Sequence, residues 1–187
     1  MTTHKRRRLF IGLAYQPGER VSGVLESLRV LAASPGAGVR PVAPENLHIT
    51  LKFLGMIPES DIPLLSQVMD QALAAEAGLE LRLAGIGYFK QAIWLGVEPD
   101  ARLDALVTRL NRFLAVVGCQ PDNKPFVPHL TVARLRPDHR VDLSALREQY
   151  ADREWEGLQA GAVNLYESRT LPDGVRYEVL HSVSLLR

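Results

Sequence analysis

A His-apolar-Thr-apolar tetrapeptide occurs twice in this chain, as His48-Ile49-Thr50-Leu51 and as His129-Leu130-Thr131-Val132. The copies start 81 residues apart in a chain of 187, slightly under half its length. Each continues to a leucine at the same offset, Leu54 and Leu135. The chain has five histidines and six threonines, so ten histidine pairs weighted by the squared threonine fraction give roughly one chance occurrence in a hundred. A repeat of this kind constrains the chain to two similar half-structures.

Side chains alternate across a strand. In the first copy Leu47, Ile49, Leu51 and Phe53 share one face, the expected core face, and His48, Thr50 and Lys52 share the other. In the second copy His129 and Thr131 stand opposite Leu130 and Val132. Two such strands meeting across a groove would gather two imidazoles and two hydroxyls around one small site.

The remaining pattern mixes helices and strands. Val21, Val24, Leu25, Leu28 and Leu31 recur at helical spacing until Pro35-Gly36. A second helix is expected over about Ser60 to Ala77, stopped by Gly78. A third starts at the N-cap Asp100 and ends at Gly118, and a short fourth spans Leu143 to Tyr150. Leu9–Ala14, the alternating Leu79, Leu81 and Leu83, and Ala92–Val97 read as strands. Leu158–Glu167 and Arg176–Leu186 read as a closing pair around the turn Pro172-Asp173-Gly174. No strict βαβ alternation appears, so an α+β architecture with mostly antiparallel sheet is expected. No linker separates independent domains; residues 1–7 read as a flexible tail on one domain, and the basic run Lys5 to Arg8 reads as a solvated tail or, less in keeping with the pattern, as a contact for RNA.

Composition narrows the function. Lys+Arg is 22 against 21 Asp+Glu, which excludes duplex binding by bulk charge but not a site that reads one phosphate. The single cysteine, Cys119, removes disulfide frameworks and cysteine-based zinc sites, and fits a reducing, cytoplasmic compartment. No apolar run is long enough to span a membrane, and none follows the basic start as a signal peptide requires.

Two imidazoles suit two-sided proton transfer, because a histidine with pKa near 6.5 is neutral or charged at neutral pH as its surroundings decide. Two threonine hydroxyls can hydrogen-bond charged oxygens. Neither motif holds a carboxylate, and no further His or Cys stands at ligand spacing, so neither metal nor cofactor is expected. The set suits in-line displacement at a phosphodiester. His4, His139 and His181 lie outside the repeat and read as ordinary surface or core residues.

At these residues the sequence resembles the 2H phosphoesterase superfamily, most closely its bacterial and archaeal RNA 2′,3′-cyclic phosphodiesterases, once called 2′-5′ RNA ligases. The resemblance runs through Arg8-Leu9-Phe10-Ile11, Pro41-Val42, Asn46 to Gly55, Trp94-Leu95-Gly96, Pro125 to Thr131, and Leu165-Tyr166-Glu167-Ser168. It implies two pseudosymmetric lobes, each an antiparallel sheet with helices outside, around a cleft. It implies hydrolysis of a terminal 2′,3′-cyclic phosphate on RNA to a 2′-phosphate, with His129 as proton acceptor and His48 as proton donor. Thr50 and Thr131 would hold the non-bridging oxygens. The implied partner is RNA with such an end, tRNA fragments or nucleotides included, bound by a monomeric chain.

The resemblance also suggests Arg134 as a phosphate contact. An offset of five from His129 points it away from the motif face, unless a bulge near Ala133 restores it. Phe10 is expected to stack on the terminal base or to fill the core. Lys52, on the face of His48, is expected to steer the anion or to be solvated. The same residues leave open a cyclic phosphodiesterase of small nucleotides, a non-catalytic nucleotide- or RNA-binding module, and reversible 2′-5′ ligation.

Overall fold

The structure, a computed structural model, describes residues 5–89, 91–120, 122, 124–137, 144–150, 153–172 and 174–186. The chain lays down one unit twice: strand, helix, motif strand. The first copy is β1 (Arg6–Ala14), α1 (Glu19–Ala33) and, after short β2 (Val39–Pro41) and a 3₁₀ turn at Pro44–Asn46, β3 (His48–Pro58). Helix α2 (Ile62–Leu73), β4 (Leu79–Leu81) and β5 (Leu83–Phe89) follow. The second copy is β6 (Ala92–Val97), α3 (Ala101–Val116) and β7 (His129–Leu135). The chain ends through α4 (Ser144–Tyr150), β8 (Leu158–Ala160), β9 (Ala162–Leu171) and β10 (Gly174–Ser184).

The main sheet runs β10-β9-β1-β3-β7-β6-β5, with β2 also paired to β7. Every pairing between its strands is antiparallel. Strands β3 and β7 join at one residue pair, Ile49 with Leu130, so this sheet is two halves connected at the centre of the repeat. The architecture is α+β, as the sequence pattern implies. Strands β4 and β8 form a separate two-stranded sheet. The expected single strand through Leu79, Leu81 and Leu83 thus divides, its second part pairing with β6 instead.

The helices follow their apolar stripes. Val21, Val24, Leu25 and Leu28 of α1 are buried, as are Leu103, Leu106, Val107, Leu110 and Leu114 of α3. Asp100 caps α3 by accepting a hydrogen bond from the Leu103 N–H, and Gly118 at φ 84° lets the chain leave it. Helix α2 stops at Leu73, short of the expected Ala77. Beyond it the chain must extend, because Ala77 bridges to Leu186 and the Gly78 N–H donates to the Leu186 carbonyl.

Part of the expected tail, residues 1–7, is strand. Residues 1–4 lie outside the described residues, but Arg6 and Arg7 belong to β1. Arg7 is held by ion pairs to Glu59 and Glu167, so this member of the basic run is anchored by carboxylates, while Lys5, Arg6 and Arg8 are exposed. His139 and Asp173 also lie outside the described residues, while His181 meets Asp70 at 2.8 Å on the surface.

The two motif strands share a core plan. Starting at His48 and at His129, seven consecutive residues repeat one sequence of burial: half-buried, buried, half-buried, buried, buried, exposed, half-buried. Two consecutive buried residues break strict alternation at the same place in each copy.

Candidate active site

That break is a bulge. Between Gly12 paired to Thr50 and Ile11 paired to Lys52, strand β3 carries one extra residue, Leu51. Between Trp94 paired to Thr131 and Ile93 paired to Ala133, strand β7 carries Val132. Each bulge reverses which residues face the groove. Beyond Thr131, the groove face passes to Arg134. Beyond Thr50, it passes to Phe53.

The bulges decide three expectations. Lys52 does not face the groove: it is 3 % exposed, with its ammonium donating to the Gln120 carbonyl and to Asp122 Oδ2, both at 2.8 Å. Phe53 is not a core residue but is 60 % exposed at the groove wall. Arg134, against simple parity, lines the same cavities as His48. A glycine is required at Gly12, opposite Thr50, because a Cβ there would sit 2.8 Å from the Ile49 carbonyl oxygen.

The pair Ile49–Leu130 is fully buried on the other face of the sheet. Continuing that antiparallel register one residue each way sets His48 beside Thr131 and Thr50 beside His129, all four side chains on one face. The repeat therefore closes on itself about this pair.

Both histidines are held alike. Each Nδ1 donates to the carbonyl two residues earlier, His48 to Asn46 at 2.7 Å and His129 to Val127 at 2.8 Å. A carbonyl only accepts, so each ring carries its proton on Nδ1 and keeps Nε2 for chemistry. The walls differ. His48 packs on Phe10 at 4.7 Å between ring centroids and meets the edge of Tyr177 at 4.9 Å. His129 meets Phe89 at 5.2 Å and Trp94 at 6.1 Å. Burial pushes the His48 pKa down, the bond to the Asn46 carbonyl opposes this, and the charges of Arg134 and His129 push it down further.

Phe10 is 3 % exposed. Tyr166 stacks on it at 4.9 Å and Tyr177 meets it at 5.0 Å, so the expectation that it stacks on a base is corrected: it supports His48. The exposed aromatic at this wall is Phe53. Asn46 was not foreseen either. Its side chain donates to the Val175 carbonyl at 2.8 Å and accepts from the Tyr177 N–H at 3.3 Å, tying β10 beside His48. Its adjacency to the first motif was the one available signal; Tyr177, far along the chain, carried none.

Two cavities open beside His48, of about 350 and about 500 Å³. Both include His48, Arg134, Val175 and Tyr177. Among the described residues no three His, Cys, Asp or Glu side chains gather as metal ligands would.

Comparison with known proteins agrees with this geometry. The family model of the 2′-5′ RNA ligase superfamily matches residues 17–170. The chain is 31 % identical over 178 residues to an RNA 2′,3′-cyclic phosphodiesterase of Methanothermobacter thermautotrophicus, covering 91 % of this chain and 94 % of that one. It is 30 % identical over 149 residues to the protein of that name from Methanocaldococcus jannaschii, covering 76 % and 83 %. Among solved structures, Escherichia coli LigT complexed with 3′-AMP superposes with a TM-score of 0.74 at 26 % identity, covering 98 % of this chain and all of that one.

Proposed function

The chain belongs to the 2′-5′ RNA ligase superfamily, and from that premise we propose that it hydrolyses 2′,3′-cyclic phosphate ends of RNA to 2′-phosphomonoesters without a metal. The observation that carries this reading is the antiparallel pairing of Ile49 with Leu130, whose register, continued one residue each way, brings the two His-Thr sets together. His129 Nε2 accepts the proton of a water whose oxygen attacks phosphorus. The bond from phosphorus to the 3′ oxygen breaks, and His48 Nε2 gives a proton to that oxygen. The phosphate stays on the 2′ oxygen, and the two histidines exchange protons with solvent to reset. Thr50 and Thr131 hydroxyls and the Arg134 guanidinium hold the non-bridging oxygens, whose charge grows in the transition state. Phe53 offers a face for the terminal base.

Without substrate His48 favours its neutral form, because burial and the neighbouring Arg134 guanidinium oppose its charge. A bound phosphate anion reverses that balance, so the donor is loaded when substrate arrives. Incubation with an RNA ending in a 2′,3′-cyclic phosphate, followed by identification of the hydroxyl that keeps the phosphate, tests the reading. A 2′-phosphate is expected. Binding without turnover would instead favour a nucleotide- or RNA-binding module. Faster turnover of small cyclic nucleotides than of oligonucleotides would favour the small-nucleotide enzyme. By microscopic reversibility the same groups join a cyclic end to a 5′-hydroxyl as a 2′-5′ bond, with hydrolysis favoured by the abundance of water.

A further inference from the structure

Arg8 is a groove residue that the proposed reaction does not use. We infer that it binds the backbone phosphate on the 5′ side of the terminal nucleotide and makes the enzyme prefer oligonucleotides to mononucleotides. This rests on the reading of the site as an RNA-end phosphodiesterase.

Three arginines begin β1, and two are occupied. Arg6 donates to the Met56 carbonyl at 2.5 Å, and Arg7 is held between Glu59 and Glu167. Arg8 points to the groove and has no hydrogen-bond or ion-pair partner among the described residues. It lies two residues from Phe10 on the same face, a step of about 6.8 Å along the strand. Tyr166 pairs with Phe10 and Glu167 with Leu9, so Ser168 of β9 falls beside Arg8, with Thr170 next on that face. Moving away from His48, the wall therefore changes from the rings of Phe10, Tyr166 and Tyr177 to a free guanidinium with two hydroxyls. The roughly 350 Å³ cavity joining these groups to His48 has two arginines and no carboxylate in its lining.

That order matches the parts of an RNA end. A reacting phosphate at the histidines is followed by the sugar and by the base against the exposed Phe53 ring, then by the next phosphate over a cation and hydroxyl donors. The second cavity also has, beyond Arg134, a cation with no partner among the described residues, Arg40, but the residues that follow it in the lining are the apolar Pro41, Val42 and Ala43. The two arms are thus chemically distinct, and the polar one suits the chain.

The test compares Arg8→Gln, Arg40→Gln and the unaltered protein on two substrates. One is a short oligonucleotide with a 2′,3′-cyclic phosphate end; the other is a nucleoside 2′,3′-cyclic phosphate with no 5′ phosphate. Arg8→Gln should raise KM for the oligonucleotide about tenfold, the weight of one charge-assisted hydrogen bond, and shift that for the mononucleotide less than twofold. The salt dependence of oligonucleotide KM should lose about one phosphate contact. Equal loss on both substrates, no loss on either, or selective loss in Arg40→Gln instead would overturn the assignment of Arg8. Failure of the unaltered protein to turn over either substrate would overturn the reading beneath it.

Discussion

Replacing Lys52 separates a structural cation from a substrate-binding one. On an ideal strand Lys52 would stand beside His48 in the groove, where its loss would weaken substrate binding. The bulge at Leu51 turns it inward, to the Gln120 carbonyl and Asp122. Lys52→Met keeps the apolar stem and removes the ammonium. It gives up two hydrogen bonds of a charged donor, about 1.5–3 kcal/mol each in gross terms. Release from the cost of burying the charge offsets part of this, and Asp122 is half exposed, so water solvates its carboxylate. A net loss of about 2 kcal/mol follows. Lys52→Ala also removes three buried methylenes, a further ~2.4 kcal/mol at ~0.8 each. For a chain of this size ~1 kcal/mol moves Tm by about 2–4 °C. Thermal unfolding followed by circular dichroism should then show losses of about 4–8 °C for Met and about 9–18 °C for Ala. KM for the cyclic-phosphate substrate, measured well below both transitions, should stay within twofold for Met. A tenfold rise in KM with Tm unchanged would put the ammonium in the substrate path and refute the bulge argument.

His48→Ala and His129→Ala should each lower kcat by about 10²–10⁴-fold, and the double variant by less than the product, since the pair acts as a unit; near-full activity in either single variant, by initial-rate assay, would remove the acid–base assignment. NMR titration of the free protein should place the His48 pKa below 6.5, with Arg134→Gln moving it upward by removing one opposing charge. The sign for stability follows: the unfolded chain binds this proton more readily, so the contribution is complete above pH 6.5 and lost as pH falls below it; a His48 value at or above 6.5 would contradict this. Asn46→Ala frees β10 from the loop that bears His48 and should cost about 1–2 kcal/mol, read as a Tm drop of about 2–8 °C, together with a several-fold loss in kcat. Unchanged kcat at the lower Tm would show that Asn46 holds the fold and not the histidine.

The repeat, the four motif side chains and most helices were legible because each has a local cause: alternation, apolar stripes, an Asp cap, a terminating glycine. The failures share one origin. Leu51 and Val132 are ordinary strand residues, and nothing in their chemistry announces a bulge; neither copy has glycine or proline at that point. Parity carried past them therefore misplaces the residues that follow, until in β3 a second shift at Leu54 restores it. It put Phe53 in the core and Lys52 in the groove; Arg134 escaped only because a bulge near Ala133 was allowed for. Phe10 fell on the correct face, but its burial depends on Tyr166 and Tyr177, more than 150 residues away, which no local pattern connects to it. The C-terminus of α2 was misjudged for a similar reason, because a long-range bridge to Leu186 ends that helix before its own sequence would.

The two copies agree in burial residue by residue, yet the proposed reaction cannot use equal halves. A cyclic phosphate offers two ester oxygens, and a symmetric pair of His-Thr sets would release either. Selection of the 3′ oxygen requires the halves to differ where substrate meets them. They differ first at the position five residues after each histidine, where the shared bulge presents an exposed ring in one half and, in the other, a guanidinium with no partner among the described residues. They differ again behind the imidazoles, where a packed wall of Phe10, Tyr166 and Tyr177 lowers the proton affinity of His48 until an anion arrives. The backbone supplies the symmetry that brings two proton carriers together, and these few side chains give the site its direction.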